Sequence, residues 1–313
     1  SGGPDEVVVK TLYSLVSTGT ELRVWGGHYG AADKFPLIPG YSIVGEVTEI
    51  GTNITDVQVG DLVSGRNPLP VPGINAYWGA QASHHRYLTV GYDGVVKLPQ
   101  GVEPLDCLIA EIGAISWRGV KHAGMQAGES ALVTGQGLIG TLAMRFLLMH
   151  GVKTVVTDIH PFRLERARTF GAGAVNARDA DAEAQIKALL PDGADIIVEA
   201  SGLPQTALQA FRFLRGRKTG EARPLPRVIF QANYLEQISA NLAGFVPSQS
   251  VALFYPADRE MEDRQDVLNF VAQGKLHASE FIGETHDFRD APRAYPLLRD
   301  EPDKHFSVAF RWA

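Results

Sequence analysis

The stretch VTGQGLIG, Val133 to Gly140, decides the fold. Its glycines, Gly135, Gly137 and Gly140, follow the spacing G-x-G-x-x-G, which by itself is common. Here the pattern follows directly on SALVTG, a short apolar run that reads as a buried strand, and it opens GTLAMRFLLMHG, which reads as a helix. A glycine turn in that context is a dinucleotide site. Gly135 permits the tight turn, Gly137 lets the backbone approach a pyrophosphate, and Gly140 lets the helix pack closely on the strand. Leu138 and Ile139 begin the helix, whose free N–H groups and positive potential favour phosphate.

The next strand, KTVVTD, ends in Asp158, about 20 residues beyond the glycines, where a carboxylate accepts ribose hydroxyls. A 2′-phosphate would be repelled there, so NAD is expected over NADP. His160 and Arg163 work against that charge, and Arg163 is expected to cover the adenine or a phosphate. Ser201, in ADIIVEASG, is counted with the cofactor residues. A flavin is disfavoured because the turn lies in mid-chain.

Working outward, strand–helix units repeat on the C-terminal side of the turn. KTVVTD is followed by FRLERARTFG, ADIIVEASG by PQTALQAFRFL, and then comes PRVIFQA. Alternation of this kind requires a parallel sheet. Residues 1 to about 110 have another rhythm, short strands such as EVVVKTLYSLV, YSIVGEVTEIG and HHRYLTV separated by Gly/Pro turns. Residues 66–73 are expected to form a surface loop. The first strand starts almost at once, which leaves open an earlier strand ahead of Ser1. After Tyr255 come the helices RQDVLNFVAQG and DAPRAYPLLRD and the strand FSVAFRWA. The expected class is α/β, with a β-rich domain over 1–114, a doubly wound parallel sheet over 115–255 and a return to the first domain over 256–313.

Composition excludes several classes. The 313 residues suffice for two cores. A net charge of −6 without a basic stripe argues against nucleic acid, and no apolar run reaches the ~20 residues of a membrane span. A single cysteine, Cys107, rules out an internal disulfide framework and reads as a small buried hydrophobe. A small-molecule substrate and a reducing, cytoplasmic compartment are expected.

PLIPGYSIVGEVTEIG, VGDLV, VVKLPQGVEP, VTGQGLIG, RARTFGA and the closing FSVAF together resemble a medium-chain dehydrogenase/reductase along essentially the whole chain. The resemblance implies a GroES-like catalytic domain, a Rossmann domain, substrate in the cleft between them, and a homodimer joined at the edges of the cofactor sheets. Zinc-dependent members carry Cys-Gly-Ser/Thr-Asp, where this chain has Thr18-Gly19-Thr20-Glu21. Their Gly-His-Glu is replaced by Gly40-Tyr41-Ser42, and the cysteine-rich lobe of a structural zinc is absent. Glu111 stands where some polyol dehydrogenases supply a third ligand. One carboxylate with Thr and Tyr is not the N/S/O set that holds catalytic zinc, so no metal is expected. His84-His85 are poor joint ligands, because neighbours on a strand point to opposite faces.

What the resemblance puts in the metal's place is Thr18, Thr20 and Tyr41. Thr20 matches a relay hydroxyl. Tyr41 has two readings, a hydrogen-bond donor to an oxyanion or a packed aromatic. Arg23 falls where relatives place a relay histidine, with His28 and Glu111 as further acid–base candidates. Trp25, Trp78 and Trp117 read as core packing or pocket lining. STGTELRVWGG and VIFQANYLEQI are also similar to a zinc-lacking branch that includes the bacteriochlorophyllide dehydrogenases, and the second is similar to polyol- or cyclitol-type dehydrogenases. Three functions remain open: a metal-independent NAD-linked oxidoreductase on a secondary alcohol or ketone, a quinone or enoyl reductase of the same fold, and a non-catalytic NAD-binding protein.

Overall fold

Strand β1, Glu6–Leu15, buries Val7 and Val9 and leaves the residues between them partly open, the alternation of a strand with one face on a core. The structure is a computed structural model describing residues 2–91, 93–216, 222–239, 250–256 and 260–312. The chain divides into two units, Ser1–Ala114 with Arg259–Ala313, and Ile115–Asp258.

In the first unit β1 is followed by β2 (Ile43–Ile50), β3 (Leu62–Gly65), β4 (His84–Leu88) and β5 (Val96–Lys97). Strands β6 to β11 belong to the second unit, and β12 (Glu284–Asp287) and β13 (Val308–Arg311) close the first. The sheet order is β12-β13-β1-β2-β3-β5, with β4 also paired to β1. Val7, Val9, Ile43, Val47, Val63 and Tyr87 form one core. A second gathers Val16, Ala294, Leu298, Val308 and Phe310, so the C-terminal return packs on the residue just before the STGTE stretch.

That stretch departs from the expected β-rhythm. Thr18–Trp25 is a helix, α1, whose inward residues are Glu21 and Val24. Residues three apart share a helix face, and the buried polar Glu21 at one of these positions hid the amphipathic pattern.

The second unit is a six-stranded parallel sheet of β6 (Ser130–Thr134), β7 (Lys153–Asp158), β8 (Gly173–Asn176), β9 (Ile196–Glu199), β10 (Arg227–Phe230) and β11 (Ala252–Phe254). Its order is β11-β10-β9-β6-β7-β8. Both β6 and β9 are buried along nearly their whole length, as strands covered on two faces require. Leu132, Val155, Ile197, Val228 and Phe211 form the core of one face. The switch point of this doubly wound sheet lies between β6 and β9, and ligands of such sheets bind at the carboxyl ends of the strands there. No helix among the described residues is long and apolar enough to cross a membrane.

Candidate functional site

The glycine turn joins β6 to helix Leu138–Met149 at that switch point. Gly135 has φ +85°, and a Cβ there would lie 2.8 Å from the backbone of Ser201. A Cβ on Gly140 would lie 1.8 Å from the carbonyl oxygen of Gly135, so neither position admits a side chain. Gly137 differs. Apart from its chain neighbours, nothing among the described residues lies within 4 Å of where its Cβ would be. It caps the helix in extended conformation and brings no side chain to the N–H groups of the first turn, which helix geometry leaves without an intrahelical partner. That combination fits a pyrophosphate.

Asp158 ends β7, nearly buried, and three backbone N–H groups hold its carboxylate. Gln136 donates at 2.6 Å, Ile159 at 2.8 Å and His160 at 2.9 Å. Arg163 lies 3.8 Å away, with its guanidinium also over the Phe162 ring. About one of the carboxylate's roughly four lone-pair sites is left for a ribose hydroxyl. His160 enters the arrangement through its backbone N–H.

A carboxylate the sequence reading passed over supports this turn. Glu199, fully buried at the end of β9, accepts hydrogen bonds from Thr134 Oγ1 at 3.3 Å and Ser201 N at 2.8 Å, and from the hydroxyls of Ser201 and Tyr234. Ser201 is thereby fixed with its backbone against Gly135. The signal was a charged residue closing the otherwise apolar run IIVE.

The first unit brings together a set of hydroxyls around a second buried carboxylate. Tyr41 donates to Ser17 Oγ at 2.7 Å and is also hydrogen-bonded by the Thr20 side chain. Burial raises the pKa of the Tyr41 hydroxyl well above the ordinary phenol value, and the charges of Glu111 and Glu21 add to the rise. Glu21 accepts from Ser17 N at 2.8 Å, Gln81 Nε2 at 3.2 Å and Tyr295 Oη at 2.5 Å. Burial pushes its carboxyl up to about 7, against these three hydrogen bonds. Ser14 donates to Gln81 Oε1 at 2.6 Å and so turns the amide nitrogen toward Glu21. Neither Ser17, Glu21, Gln81 nor Tyr295 was singled out from sequence. Only the place of Ser17 just ahead of a helix, with Glu21 four residues on, carried a local signal.

The remaining candidates disperse. Thr18 is half-buried at the first turn of α1 and takes no part in these hydrogen bonds. Glu111, expected as a free acid–base or ligand group, is paired instead with Arg66 Nε at 3.1 Å and Arg264 Nε at 3.7 Å. Burial raises its pKa to about 7 while Arg264 and Arg66 oppose the rise. Arg23 donates to the Tyr29 hydroxyl at 2.8 Å, and His28 is exposed. His84 is exposed, whereas His85 is buried against the Ala80 carbonyl and pushed down to about 4 by that burial. Cys107 is buried, its thiol raised to about 12 by desolvation. Trp117 packs on Phe146 and His150, Trp25 is half-exposed beneath Arg299, and Trp78 meets Tyr41 edge-on at 5.3 Å.

These residues do not fit a catalytic zinc ion. Thr18 and Tyr41 offer only neutral hydroxyls, and two guanidinium groups already stand at the one carboxylate. Among the described residues no group of three or more His, Cys, Asp or Glu side chains converges as a metal site.

Residues 3–100 match the family model of the alcohol dehydrogenase GroES-like domain, and residues 139–219 match that of the zinc-binding dehydrogenases. An L-threonine 3-dehydrogenase of Streptomyces avermitilis is 34% identical over 94% of this chain and 88% of its own. A sorbitol dehydrogenase of Halalkalibacterium halodurans is 24% identical over 95% and 89%. Among solved structures, an alcohol dehydrogenase of Thermus sp. ATN1 superposes with a TM-score of 0.83 at 22% identity, over 99% of this chain and 95% of that one.

Proposed function

The chain belongs to the zinc-type medium-chain dehydrogenase/reductase superfamily and is an oxidoreductase, and we propose that it moves a hydride between NAD(H) and a secondary alcohol or its ketone without a metal. The observation that carries the metal-free part is the fate of the ligand positions. Tyr41 is hydrogen-bonded to Ser17, and Glu111 is neutralised by Arg66 and Arg264. Asp158, closed on three backbone N–H groups, supports NAD over NADP and so disfavours an NADPH-linked enoyl or quinone reductase.

When bound, the nicotinamide supplies the hydride acceptor or donor. Holding it falls to Gly135, Gly137, Gly140, Asp158 and the start of the following helix. Tyr41 handles the substrate oxygen. Its raised pKa keeps it protonated across the physiological range, so it acts as a donor and never as a standing base. In ketone reduction its hydrogen bond stabilises the developing alkoxide, while Ser17 turns its own proton onto the Tyr41 oxygen. In alcohol oxidation the substrate hydroxyl passes its proton to the Tyr41 oxygen as the Tyr41 proton moves to Ser17 Oγ, and the Ser17 proton goes on to solvent.

For the substrate, a run of aromatic rings favours a flat, ring-bearing alcohol over a polyol. Tyr29, Tyr77, Trp78 and Tyr41 follow one another at centroid distances of 6.5, 4.5 and 5.3 Å. Trp78 and Tyr29 hold φ of +67° and +59°, strain that large side chains bear mostly at functional sites. Together with the STGTE resemblance, this supports a hydroxyethyl group on a pigment precursor, with a polyol or cyclitol as the second reading. Leu253, 47% exposed in β11 at the edge of the sheet among the described residues, and Tyr255, 61% exposed just beyond it, support a homodimer. The enzyme is proposed to work in the cytoplasm.

The test is a nicotinamide-absorbance screen of 1-phenylethanol, sorbitol and cyclohexenone with each cofactor, with and without a chelator. Chelator-insensitive, NAD-linked oxidation of 1-phenylethanol is expected. Tyr41→Phe should lower kcat about 10- to 100-fold with NADH binding unchanged. Loss of activity on chelation, restored by zinc, would overturn the metal-free reading. Enone reduction by NADPH alone would favour the enoyl reductase, and NAD binding with no turnover would leave a non-catalytic protein.

A further inference from the structure

Ser17 is the N-cap of α1, yet its side chain makes no cap hydrogen bond. An N-cap serine ordinarily accepts from a backbone N–H of the first helical turn, and that is why serine is favoured there. Here the hydroxyl is withdrawn from the helix and accepts from Tyr41 at 2.7 Å in a buried setting. The backbone is stabilised by another route. Glu21 reaches back from the first turn and its Oε1 accepts the Ser17 N–H at 2.8 Å, in the manner of a capping box. A residue that abandons its local preference with its neighbour compensating marks a place where another demand has prevailed.

Glu21 is itself held from two distant parts of the fold. Its other oxygen accepts Tyr295 Oη, from the helix Ala291–Asp300, and Gln81 Nε2. Gln81 has its orientation set by Ser14, whose Oγ accepts Trp312 Nε1 at 2.8 Å. Among the described residues the partners of Glu21 are the neutral donors Ser17 N, Gln81 Nε2 and Tyr295 Oη, so its lone pairs are spent on orienting dipoles.

We propose that Ser17 and Glu21 are positioning residues for the reaction put forward above: Ser17 Oγ fixes the place of the Tyr41 oxygen and turns its proton onto it when Tyr41 donates to substrate, and Glu21 fixes Ser17. Neither touches the substrate. Their effect passes through Tyr41, and the proposal therefore rests on the reading of Tyr41 as the group that serves the substrate oxygen. The Tyr41 oxygen is then held in place before substrate arrives, and only the protons of Tyr41 and Ser17 need reorient for Tyr41 to donate to the alkoxide.

The test combines kinetics with a signal that needs no substrate. In protein labelled with 13C at tyrosine Cζ, the Tyr41 resonance is assigned by its disappearance in Tyr41→Phe. Ser17→Ala should shift it, and Glu21→Gln should shift it in the same sense while the serine hydroxyl is still present. With 1-phenylethanol and NAD, Ser17→Ala should lower kcat about tenfold and leave the KM for NAD unchanged, and Ser17→Thr should recover to within about threefold. A purely structural role would move melting temperature without this split. An unmoved Tyr41 resonance with unchanged kcat in Ser17→Ala overturns the proposal. If instead Ser17→Ala shifts the resonance but Tyr41→Phe turns over normally, the positioning stands and the catalytic reading of Tyr41 falls.

Discussion

Between Val133 and Gly140, eight consecutive positions supply a whole turn, whereas the hydroxyl set of the first unit draws Ser17, Tyr41, Gln81 and Tyr295 from across the chain, with Glu21 and Tyr295 separated by 274 residues. The first site is made of backbone. Its requirements are a positive φ at Gly135 and a helix packed where no Cβ fits at Gly140. The second is made of side chains, and its requirements are partners. Backbone demands leave a local trace in the sequence as glycine, while partner demands leave none until the chain is folded. One site breaks by adding an atom, the other by exchanging a proton donor for an acceptor.

Gly140→Val should give the largest effect. Its Cβ would stand 1.8 Å from the Gly135 carbonyl oxygen, so either the helix or the turn must move. NADH binding by calorimetry is expected to weaken more than 100-fold, with a lower melting temperature. The Tyr41 resonance, belonging to the other unit, should stay where it is. Retention of NADH affinity within about threefold would mean that the glycine turn is not the cofactor site.

The same contrast explains what could be read in advance. The α/β class, with a β-rich start and a parallel sheet after the glycine turn, was legible because apolar period and Gly/Pro punctuation are local properties. Helix α1 was not, because Glu21 occupies a buried position that an apolar residue would have announced. Thr20 and Tyr41 stood out through the resemblance, and the structure adds their hydrogen bond to each other. Ser17 was quoted in the motif but not weighed, since its part as N-cap and as partner of Tyr41 depends on a helix and a contact 24 residues away that its neighbours in sequence do not announce. For Glu111, nothing in the sequence linked it to Arg66 and Arg264, which reach it from a strand end and a later helix. Long-range pairing of charges has no period.

Glu21→Gln sharpens the side-chain half of the comparison. The carboxyl is raised from 4.5 to about 7 in the fold, so the native state binds its proton more tightly than the unfolded chain does. Its contribution to stability is therefore fully present below the ordinary pKa and is lost as pH rises through about 7, by up to about 3 kcal/mol. Glutamine keeps the shape and cannot ionise. Urea midpoints measured from pH 4.5 to pH 8 should fall with pH for the native chain and fall less for the variant. Glu111, raised for the same reason, remains in both and cancels from the difference. Parallel curves would show that Glu21 is not the group responsible.

Gly137→Ala should give the smallest effect and the most selective one. Unlike Gly135 and Gly140, this residue has an ordinary φ of −72° and open space where a Cβ would stand. Alanine therefore strains nothing in the free protein, and the melting temperature without cofactor should stay within about 2 °C. That position stands at the start of the following helix, where the pyrophosphate is proposed to lie. One methyl group there should weaken NADH about tenfold, a penalty of about 1.4 kcal/mol that exists only in the complex. Tyr41 chemistry should persist at saturating cofactor, so kcat stays close to its original value while the KM for NAD rises. A variant that binds NADH normally would move the pyrophosphate away from Gly137, and one that melts early would show that this glycine serves the fold as its two neighbours do.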